Sequence, residues 1–363
     1  MNRNETAQWL REGDEHRLEE LWQRADAQRR RYVGDEVYLR GLIEFSNYCA
    51  RLCCYCGLRA ENPRLRRYRM TADEIMACAR QAVEFGYGTV VLQSGEDHGM
   101  SVTWMVELIR RIKAETPLAV TLSLGERGED ELLAWRKAGA DRYLLRFETS
   151  NEELYQRIHP PLIGRPADRI GILRMLRRLG YEVGSGVMIG IPGQTYEDLA
   201  NDLELFRELD LDMIGVGPFL PHPETPLGRG DELIAAPEGE QAPNSELMTY
   251  KMVALTRLVC PRANIPSTTA LATLNRENGR ELGLCRGANI IMPNLTPAAY
   301  RCLYEVYPAK ACLFETAEAC HGCIQRRILD LGRKIGAGRG DSPNRLEREE
   351  ASDEATARNY KLT

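Results

Sequence analysis

Several features that would place the chain in a membrane or outside the cell are missing from the sequence. No apolar run reaches about 18 residues, the length that a membrane-spanning helix requires. The N-terminus, MNRNETAQWLREGDEHRLEELW, lacks the apolar core of a signal peptide and is too acidic for a transit peptide. The sequence therefore predicts a cytoplasmic protein that does not bind membranes.

An excess of positive charge is also missing. The 48 Lys and Arg residues are set against 53 Asp and Glu residues, which gives a net charge of −5. Proteins that bind nucleic acid through the phosphate backbone usually carry a strong basic bias. Nucleic acid is therefore not an expected partner.

Motifs of several catalytic classes are absent as well. The chain has no G-x-G-x-x-G and no G-K-[ST] sequence, so a phosphate-binding loop is not indicated. The five histidines show neither an H-E-x-x-H motif nor a paired spacing. His159 and His222 each precede a proline, and we expect ordinary turn or loop roles for both.

An alternation of strand-like and helical segments runs from about residue 38 to residue 295. TVVLQS (89–94) is typical of a buried strand, and 71–86 of a helix with Thr71 as N-cap and Glu74 completing a capping box. Such repeated strand–helix pairs indicate parallel βαβ units. Eight of them predict an α/β fold of the (β/α)8 TIM-barrel type. An open, doubly wound sheet is the structural alternative.

Composition divides the chain into three parts. Residues 1–32 predict an N-terminal helical extension, and residues 33–335 predict the barrel with a C-terminal cap. Residues 336–363 are rich in Gly, Arg and Glu with few apolar positions, which predicts a disordered tail. The Arg339-Gly340-Asp341 triplet in this tail is interpreted as a solvated loop.

Eleven cysteines in a chain without an export signal favour burial, metal binding or catalysis over disulfides. Cys49, Cys53 and Cys56 form a C-x3-C-x2-C motif after the first predicted strand. Three thiolates on one loop can hold three irons of a [4Fe–4S] cluster and leave the fourth iron open to a chelating ligand. Zinc fits less well, because a structural zinc site closes with four ligands. Cys54 is out of register and is interpreted as a bystander.

The segment C-x3-C-x-Y-C resembles the signature of the radical S-adenosylmethionine (SAM) superfamily. In that superfamily the open iron chelates the amino and carboxylate groups of SAM. An electron from the cluster then cleaves the sulfonium and releases a 5′-deoxyadenosyl radical. The resemblance implies a [4Fe–4S] cluster and SAM as cofactors.

Other segments resemble the HydE family of [FeFe]-hydrogenase maturases over roughly residues 20–335, among them FSNYC-x3-C-x2-CGLR, VVLQSGED, ADRYLLRFET, GPFLPHPETPL, IPSTTA and ANIIMPN. This resemblance implies an enzyme that matures the H-cluster by acting on an iron–cysteine species carrying CO and cyanide. The implied partners are the maturases HydG and HydF and an electron donor. A radical SAM mutase or synthase of the methylornithine synthase type is the first alternative, and a non-catalytic iron–sulfur scaffold is the second.

Matching positions give the ligands that the resemblance implies: Cys49, Cys53 and Cys56 for the cluster, and Tyr55, Ser123, Glu148 and Arg169 for SAM. A carboxylate suits the amino group of SAM, and a guanidinium suits its carboxylate. The alternative for Glu148 is a strand-end carboxylate that bridges to Arg146. The alternative for Arg169 is a solvated helix residue.

The substrate is expected inside the barrel, deeper than SAM. Candidate residues for its walls are Gln93, Ser94, Arg146, Thr268, Thr269, Tyr300 and Tyr304. Thr268 and Thr269 are predicted to end a short strand, from which their hydroxyls would reach a small anionic or polar ligand. Ordinary β-branched strand residues are the alternative for both.

A second group of cysteines, Cys312, Cys320 and Cys323, lies in the predicted cap outside the barrel. The spacing matches an accessory iron–sulfur site that some members of the HydE family carry and others lack. Zinc with His321 as a fourth ligand is the main alternative, and three thiols packed in a helical cap are the other.

Four arginines follow the first cysteine loop: Arg64, Arg66, Arg67 and Arg69. An acidic partner or a phosphate could dock on them. Because charge runs are usually solvated, we expect an exposed face instead.

Overall fold

The computed structural model describes residues 1–162, 168–231 and 235–348 of the chain. The strands are β1 (Glu36–Ser46), β2 (Thr89–Ser94), β3 (Ala119–Ser123), β4 (Arg142–Leu144), β5 (Glu182–Ile189), β6 (Met213–Pro218), β7 (Ile290–Ile291) and β8 (Lys334–Ile335). The helices are α1 (Arg3–Arg11), α2 (Glu15–Val33), α3 (Ala72–Glu84), α4 (Val102–Glu115), α5 (Glu129–Ala138), α6 (Glu152–Ile158), α7 (Arg169–Arg178), α8 (Tyr196–Glu208), α9 (Pro226–Arg229), α10 (Glu246–Val259), α11 (Thr269–Leu274), α12 (Gly279–Cys285), α13 (Ala298–Arg301) and α14 (Ala317–Asp330).

The parallel strands form a ring. Strands β1 to β6 pair in sequence order, and β7 pairs with the other edge of β1. The extended segment 264–266 bridges the remaining gap, because Asn264 pairs with Met213 of β6 and Pro266 pairs with Ile290 of β7. Strands β1 to β6, this extended segment and β7 together occupy the eight strand positions of a closed barrel. The (β/α)8 fold is confirmed, and the open sheet is wrong.

Local sequence explains why these elements form. Every residue of β5 is buried, as expected for a parallel strand that is covered by barrel interior on one face and helices on the other. Helix α3 begins as predicted: the Thr71 side chain accepts from the Glu74 backbone, and the Glu74 side chain accepts from the Thr71 backbone. Because parallel strands end at the same rim, the loops after their carboxyl ends converge there.

The N-terminal helices lie outside the barrel. Helix α1 packs against α8 and α10, and α2 packs against α10. Their apolar side chains, including Trp9, Leu10 and Leu21, belong to the same hydrophobic core as the barrel strands. No helix of the described ranges is both long and apolar enough for a membrane span.

The predicted disordered tail is wrong for residues 336–348, which cross the amino-terminal end of the barrel as a strap. Strand β8 pairs with the start of β1, and the chain then runs beneath the barrel. Arg40 donates to the Gly340 carbonyl at 2.9 Å, and Thr89 donates to the Arg339 carbonyl at 2.8 Å. Buried polar groups need hydrogen-bond partners, and the polar strap supplies them. Residues 349–363 lie outside the described residues.

The Arg339-Gly340-Asp341 triplet is correspondingly not a solvated loop. Arg339 pairs with Asp141 at 2.8 Å, and Asp341 pairs with the buried Arg142. The triplet therefore belongs to the floor of the barrel.

Candidate active site

The three cysteines of the first motif lie together at the carboxyl-terminal rim of the barrel. Cys49, Cys53 and Cys56 line one cavity of about 210 Å³ above β1 to β4. Cys54 is buried on the other side of the loop, in a separate apolar cluster that contains Leu154. Its thiol donates to the Arg157 carbonyl at 3.4 Å. The geometry agrees with the bystander interpretation of Cys54.

Backbone hydrogen bonds hold this cysteine loop over the barrel mouth. Ala50 donates to the Glu96 carbonyl at 2.9 Å, and Gly57 donates to the Val306 carbonyl at 2.9 Å. A side chain on Gly95 would meet the Cβ of Cys49 at 2.8 Å, which is closer than real Cβ atoms approach. Glycine after β2 therefore lets the loop and the strand end approach each other.

The arginine run is not a uniformly solvated face. Arg67 donates to the carbonyls of Asn47 at 2.6 Å and Leu58 at 2.8 Å, so it ties the two ends of the cysteine loop together. Arg69 binds Asp97 through two nitrogens, at 2.6 and 2.9 Å. These two residues have structural partners that the spacing of the run did not reveal.

Burial sets the protonation of the thiols. It raises the pKa of Cys49 and Cys53, and it raises the pKa of Cys56 to about 12. Buried thiols of this kind are poor nucleophiles, whereas a bound metal centre stabilises their thiolates. The arrangement favours metal ligation over covalent catalysis.

The residues expected to bind SAM line the same cavity: Tyr55, Ser123, Glu148 and Arg169. Glu148 has a left-handed backbone, with φ of 67°, an uncommon and strained conformation for a residue other than glycine. Its Oε2 accepts no hydrogen bond from the described residues, but it forms the expected ion pair with Nε of Arg146 at 3.5 Å. A buried carboxylate oxygen in this state is suited to a cationic ligand.

The alternative of a solvated helix residue is wrong for Arg169. Its side chain is 10% exposed, and it donates to Glu126 at 2.9 Å and to the Arg146 carbonyl at 2.6 Å. The guanidinium is therefore fixed at the wall of the cavity.

A buried polar network behind the cavity was missed by the sequence analysis. Glu126 accepts from Arg51 at 2.6 Å and from Arg169, and Arg51 also pairs with Glu96 at 2.8 Å. Burial acts to raise the pKa of Glu126, but the contact with His159 and the charges of Arg169 and Arg51 outweigh it and lower that pKa to about 2. Glu126 is therefore ionised at neutral pH.

His159 does not have the ordinary loop role that its neighbouring proline suggested. It is 1% exposed, and its Nδ1 lies 3.0 Å from the Sγ of Cys53. Burial and the charge of Arg169 lower the pKa of His159 to about 4. A neutral imidazole thus contacts a candidate cluster ligand, and no sequence spacing points to this pair.

A second cavity of about 240 Å³ continues into the barrel. It contains four of the predicted substrate residues: Gln93, Arg146, Thr268 and Thr269. It shares Gln93, Ser123 and Arg146 with the cysteine cavity, so the two spaces adjoin. Ser94 and Tyr304 line the cysteine cavity instead, where Gln93 donates to the Tyr304 hydroxyl at 3.3 Å.

The polar groups that the sequence analysis missed in the barrel cavity are Glu44, Arg280, Tyr307 and Lys310. Lys310 forms an ion pair with Glu44, which is 2% exposed. These residues come from three separate parts of the chain, since only Tyr307 and Lys310 are close in sequence, and no local pattern connects the three parts.

Two substrate predictions need correction. Tyr300 lies outside both cavities, where its hydroxyl donates to Glu74 at 2.7 Å and its ring stacks on Tyr68. Short helix α13 carries it away from the barrel interior. Thr268 does not end a strand: it is the N-cap of α11, and its hydroxyl accepts from Leu271 at 3.3 Å.

The C-terminal cysteines line a third cavity, of about 440 Å³, in the cap. Cys312, Cys320 and Cys323 all border it. The sulfurs of Cys312 and Cys320 and a carboxylate oxygen of Glu315 lie within 4.8 Å of one another. The hydrogen bond from Cys320 lowers the pKa of Cys312 to about 6 and raises the pKa of Cys320.

His321 is not the fourth ligand of this group. Its Nδ1 lies 2.9 Å from the Tyr87 hydroxyl, and its ring stacks on Phe85 with centroids 4.3 Å apart. Its place on α14 turns the ring toward the barrel helices. The alternative of a zinc site with His321 as its fourth ligand is therefore not supported.

Comparison with known proteins agrees with this geometry. Residues 43–206 match the model of the radical SAM superfamily. The chain is 48% identical to the [FeFe] hydrogenase maturase subunit HydE of Thermotoga maritima, over 88% of this chain and 87% of that protein. It is 31% identical to the 3-methylornithine synthase of Methanosarcina acetivorans, over 76% of this chain and 75% of that protein. The crystal structure of methylornithine synthase superposes with a TM-score of 0.79 at 27% identity, covering 96% of each chain.

Proposed function

The chain belongs to the HydE family of [FeFe]-hydrogenase maturases within the radical SAM superfamily, and from this premise we propose how its residues act. Cys49, Cys53 and Cys56 hold a [4Fe–4S] cluster beside a SAM molecule at the barrel rim. The observation that carries this proposal is the single cavity that three thiols share with the guanidinium of Arg169 and with Glu148, whose Oε2 accepts no hydrogen bond from the described residues.

The donor set fits the two cofactors that membership of this superfamily implies. Three sulfurs on one loop leave one iron of a cubane without a protein ligand, as a chelating amino acid requires. Glu148 supplies a negative group for the SAM amine, and Arg169 supplies a positive group for the carboxylate. When bound, cluster and SAM together supply a 5′-deoxyadenosyl radical. The chain's own residues orient SAM so that the radical forms above the barrel interior, next to the proposed substrate site.

The barrel cavity is the proposed substrate site. Arg146, Arg280 and Lys310 bring positive charge to it, and Thr269 borders it. Such a lining suits a small anionic species, in agreement with the iron–cysteine species carrying CO and cyanide that the family resemblance implies. In this proposal HydG supplies the substrate, HydF receives the product, an external donor reduces the cluster, and all of them meet in the cytosol.

A radical SAM synthase acting on an amino acid is the second candidate, supported by the likeness to methylornithine synthase. The higher identity to the HydE sequence favours maturation. A scaffold without catalysis is the weakest candidate, because a three-cysteine loop beside a cavity leaves a structural site incomplete.

The cap cysteines are proposed to hold a second, accessory iron–sulfur cluster. The support is the shared cavity of Cys312, Cys320 and Cys323, with Glu315 close enough to Cys312 and Cys320 to act as an oxygen ligand. Zinc bound by two of the cysteines and Glu315 is the alternative. Metal analysis of the protein distinguishes zinc from an iron–sulfur cluster.

The function is tested by anaerobic reconstitution with iron and sulfide, followed by dithionite and SAM. Formation of 5′-deoxyadenosine is expected, and its absence from a protein with a full [4Fe–4S] cluster would contradict radical chemistry. A second assay adds HydG, HydF and an apo-hydrogenase. Hydrogen evolution that depends on this protein supports maturation, whereas SAM cleavage stimulated by free amino acids alone supports the synthase.

A further inference from the structure

The imidazole of His159 lies between a proposed cluster ligand and a proposed SAM ligand. Nδ1 is 3.0 Å from the Sγ of Cys53, and Nε2 is 3.0 Å from Nη2 of Arg169. The ring is 1% exposed, and Tyr155 stacks on it with centroids 5.1 Å apart. Helix α6 ends at Ile158, so the helix end and the stacked ring together fix where the imidazole lies.

The partners of the ring determine which nitrogen carries the proton. Arginine nitrogens only donate, so Nε2 is the acceptor of the Arg169 bond. Glu126 also lies 3.3 Å from Nε2, and it is balanced by Arg51 at 2.6 Å and by Nε of Arg169 at 2.9 Å without a proton from the ring. A proton on Nε2 would point at the N–H of Arg169 only 3.0 Å away, so the ring N–H is on Nδ1 and faces the sulfur of Cys53.

A hydrogen bond to a cluster sulfur changes the reduction potential of the cluster. Donation to a thiolate ligand withdraws electron density from the sulfur and stabilises the reduced cluster. Partners of this kind, which contact the ligands and not the metal, tune metal centres in many proteins. The burial of this pair strengthens the effect, because little water competes for the sulfur.

We propose that His159 is a positioning residue that raises the reduction potential of the cluster through an Nδ1–H to Cys53 Sγ hydrogen bond. The proposal rests on the proposed function, since it requires a cluster on Cys49, Cys53 and Cys56. Arg169 has a second role in it: by donating to Nε2 it keeps the proton on Nδ1. The imidazole of His159 thereby links Arg169, the proposed SAM ligand, to Cys53, the proposed cluster ligand, through one hydrogen bond on each side.

Two amide substitutions test the roles of the two ring nitrogens separately. In His159→Asn the side-chain NH2 falls near the position of Nδ1, so the donor to Cys53 is retained. In His159→Gln the amide reaches the position of Nε2, so the contact with Arg169 is retained and the donor to sulfur is lost. His16→Gln, an exposed position on α2, is the matched control.

The measurement is an electron paramagnetic resonance redox titration of each reconstituted protein without SAM, together with iron and sulfide content. His159→Gln should bind the cluster in full yet titrate at a clearly lower potential, whereas His159→Asn and His16→Gln should stay near the wild-type potential. Arg169→Ala should also lower the potential, because the ring loses the partner that fixes its tautomer.

An unchanged potential in a fully loaded His159→Gln protein would overturn the proposal. Equal loss of iron in both His159 variants would also overturn it, because the ring would then serve only to shape the loop. A wild-type protein that fails to assemble any [4Fe–4S] cluster would instead remove the proposed function on which the inference rests.

Discussion

At the scale of single residues, neighbouring cysteines in one loop have different environments. Cys53 faces the cavity and His159, whereas Cys54 points into an apolar cluster with Leu154. Consecutive side chains of an irregular loop can point in opposite directions, so the register of the motif is decided by backbone geometry. Spacing suggested this division, and the loop conformation gives its physical basis.

Serine substitutions test the register. Cys49→Ser, Cys53→Ser or Cys56→Ser should each abolish 5′-deoxyadenosine formation, because an alkoxide is a poor replacement for a thiolate on iron. Cys54→Ser is the matched control and should retain cleavage. The product is quantified by chromatography after reaction with dithionite and SAM. An inactive Cys54→Ser together with an active Cys53→Ser would show that the register is wrong.

Glu148 and Arg169 are proposed to contact SAM and not iron. Their substitution should therefore weaken SAM binding without impairing cluster assembly. Glu148→Gln and Arg169→Ala should weaken SAM binding about ten- to a hundredfold, since each removes a charge-assisted hydrogen bond of roughly 1.5–3 kcal/mol. Iron content should stay near that of the wild type. Calorimetric titration of the reconstituted proteins with SAM measures the effect.

The matched control for Arg169 is Arg174→Ala, on the exposed face of the same helix, where the guanidinium pairs with Glu208. It should bind SAM like the wild type. If both cavity variants keep the wild-type affinity, these two residues do not contact SAM.

At the scale of secondary-structure elements, helix α8 holds the loop that carries Glu148. Asp202 of this helix accepts from the Ser150 backbone at 2.6 Å, and Asp198 accepts from Asn151 at 3.0 Å. Burial raises the pKa of Asp202 to about 7, against the hydrogen bonds from Ser150. The folded protein therefore holds this proton over a pH range in which the unfolded chain, with a pKa of 3.8, has lost it.

This difference predicts a specific pH dependence of stability. The contribution of Asp202 is fully present below pH 3.8 and is lost as the pH rises toward about 7. Asp202→Asn should remove that loss, so its melting temperature should fall less than that of the wild type between pH 5 and pH 8, a range chosen from these two values. Glu208→Gln, an exposed position on the same helix, is the control. Parallel melting curves of Asp202→Asn and wild type would contradict the assignment.

The loop before α14 and the helix itself form the cysteine-lined cavity of the cap. This cavity shares Arg280 and Lys310 with the barrel cavity, so the cap lies closer to the substrate space than its position outside the barrel suggested. Cys312 has a left-handed backbone, with φ of 60°. A strained residue is retained where the surrounding contacts or a bound group require it.

The variant with Cys312, Cys320 and Cys323 all changed to alanine tests the cap. It should lose several irons per chain after reconstitution and keep most of its SAM cleavage and maturation activity, because the three thiols of the first motif remain. Iron analysis and the two activity assays decide this. Full iron content would exclude a second cluster and call for a zinc assay. Retained cleavage with lost maturation would assign the cap to partner docking or electron delivery.

At the scale of the whole molecule, the two ends of the barrel have different tasks. The carboxyl-terminal rim carries the cysteine loop and the cavities, and the amino-terminal end is covered by the strap of residues 336–348. The strap places Asp341 against the buried Arg142 and offers the Ser342 backbone to Glu182 at 3.1 Å. Arg142 and Glu182 begin β4 and β5 and pair with each other at 2.7 Å, and the strap supplies a further partner to each of them.

Gly88→Ala tests the strap without changing any of these charges. The added methyl group would overlap the Gly338 carbonyl, so the strap must move away from the barrel floor. Overpacking of this kind costs about 1–3 kcal/mol, and the free energy of unfolding from urea titration should fall by that amount. Gly13→Ala is the control, because no heavy atom of the described residues other than its chain neighbours lies within 4 Å of its added carbon. Equal stability of the two variants would mean that the strap is not packed against the floor.

The amino-acid sequence by itself determined the alternation that folds into the barrel, the N-cap of α3 and the cysteines at the end of β1. These are local properties: hydrophobic periodicity, capping chemistry and spacing depend on residues within one or two turns. The family resemblance supplied Tyr55, Ser123, Glu148 and Arg169, and the tertiary structure brings all four into one cavity with the cysteines.

Tertiary structure alone decided which polar residues meet across the barrel. His159 against Cys53, Lys310 against Glu44 and the strap beneath Arg40 join positions more than 100 residues apart. Tyr300 was misplaced for the same reason, since a short helix turned it outward. A buried charge or an imidazole is stable only when distant chain segments supply its partners, and no local pattern records which segments those are.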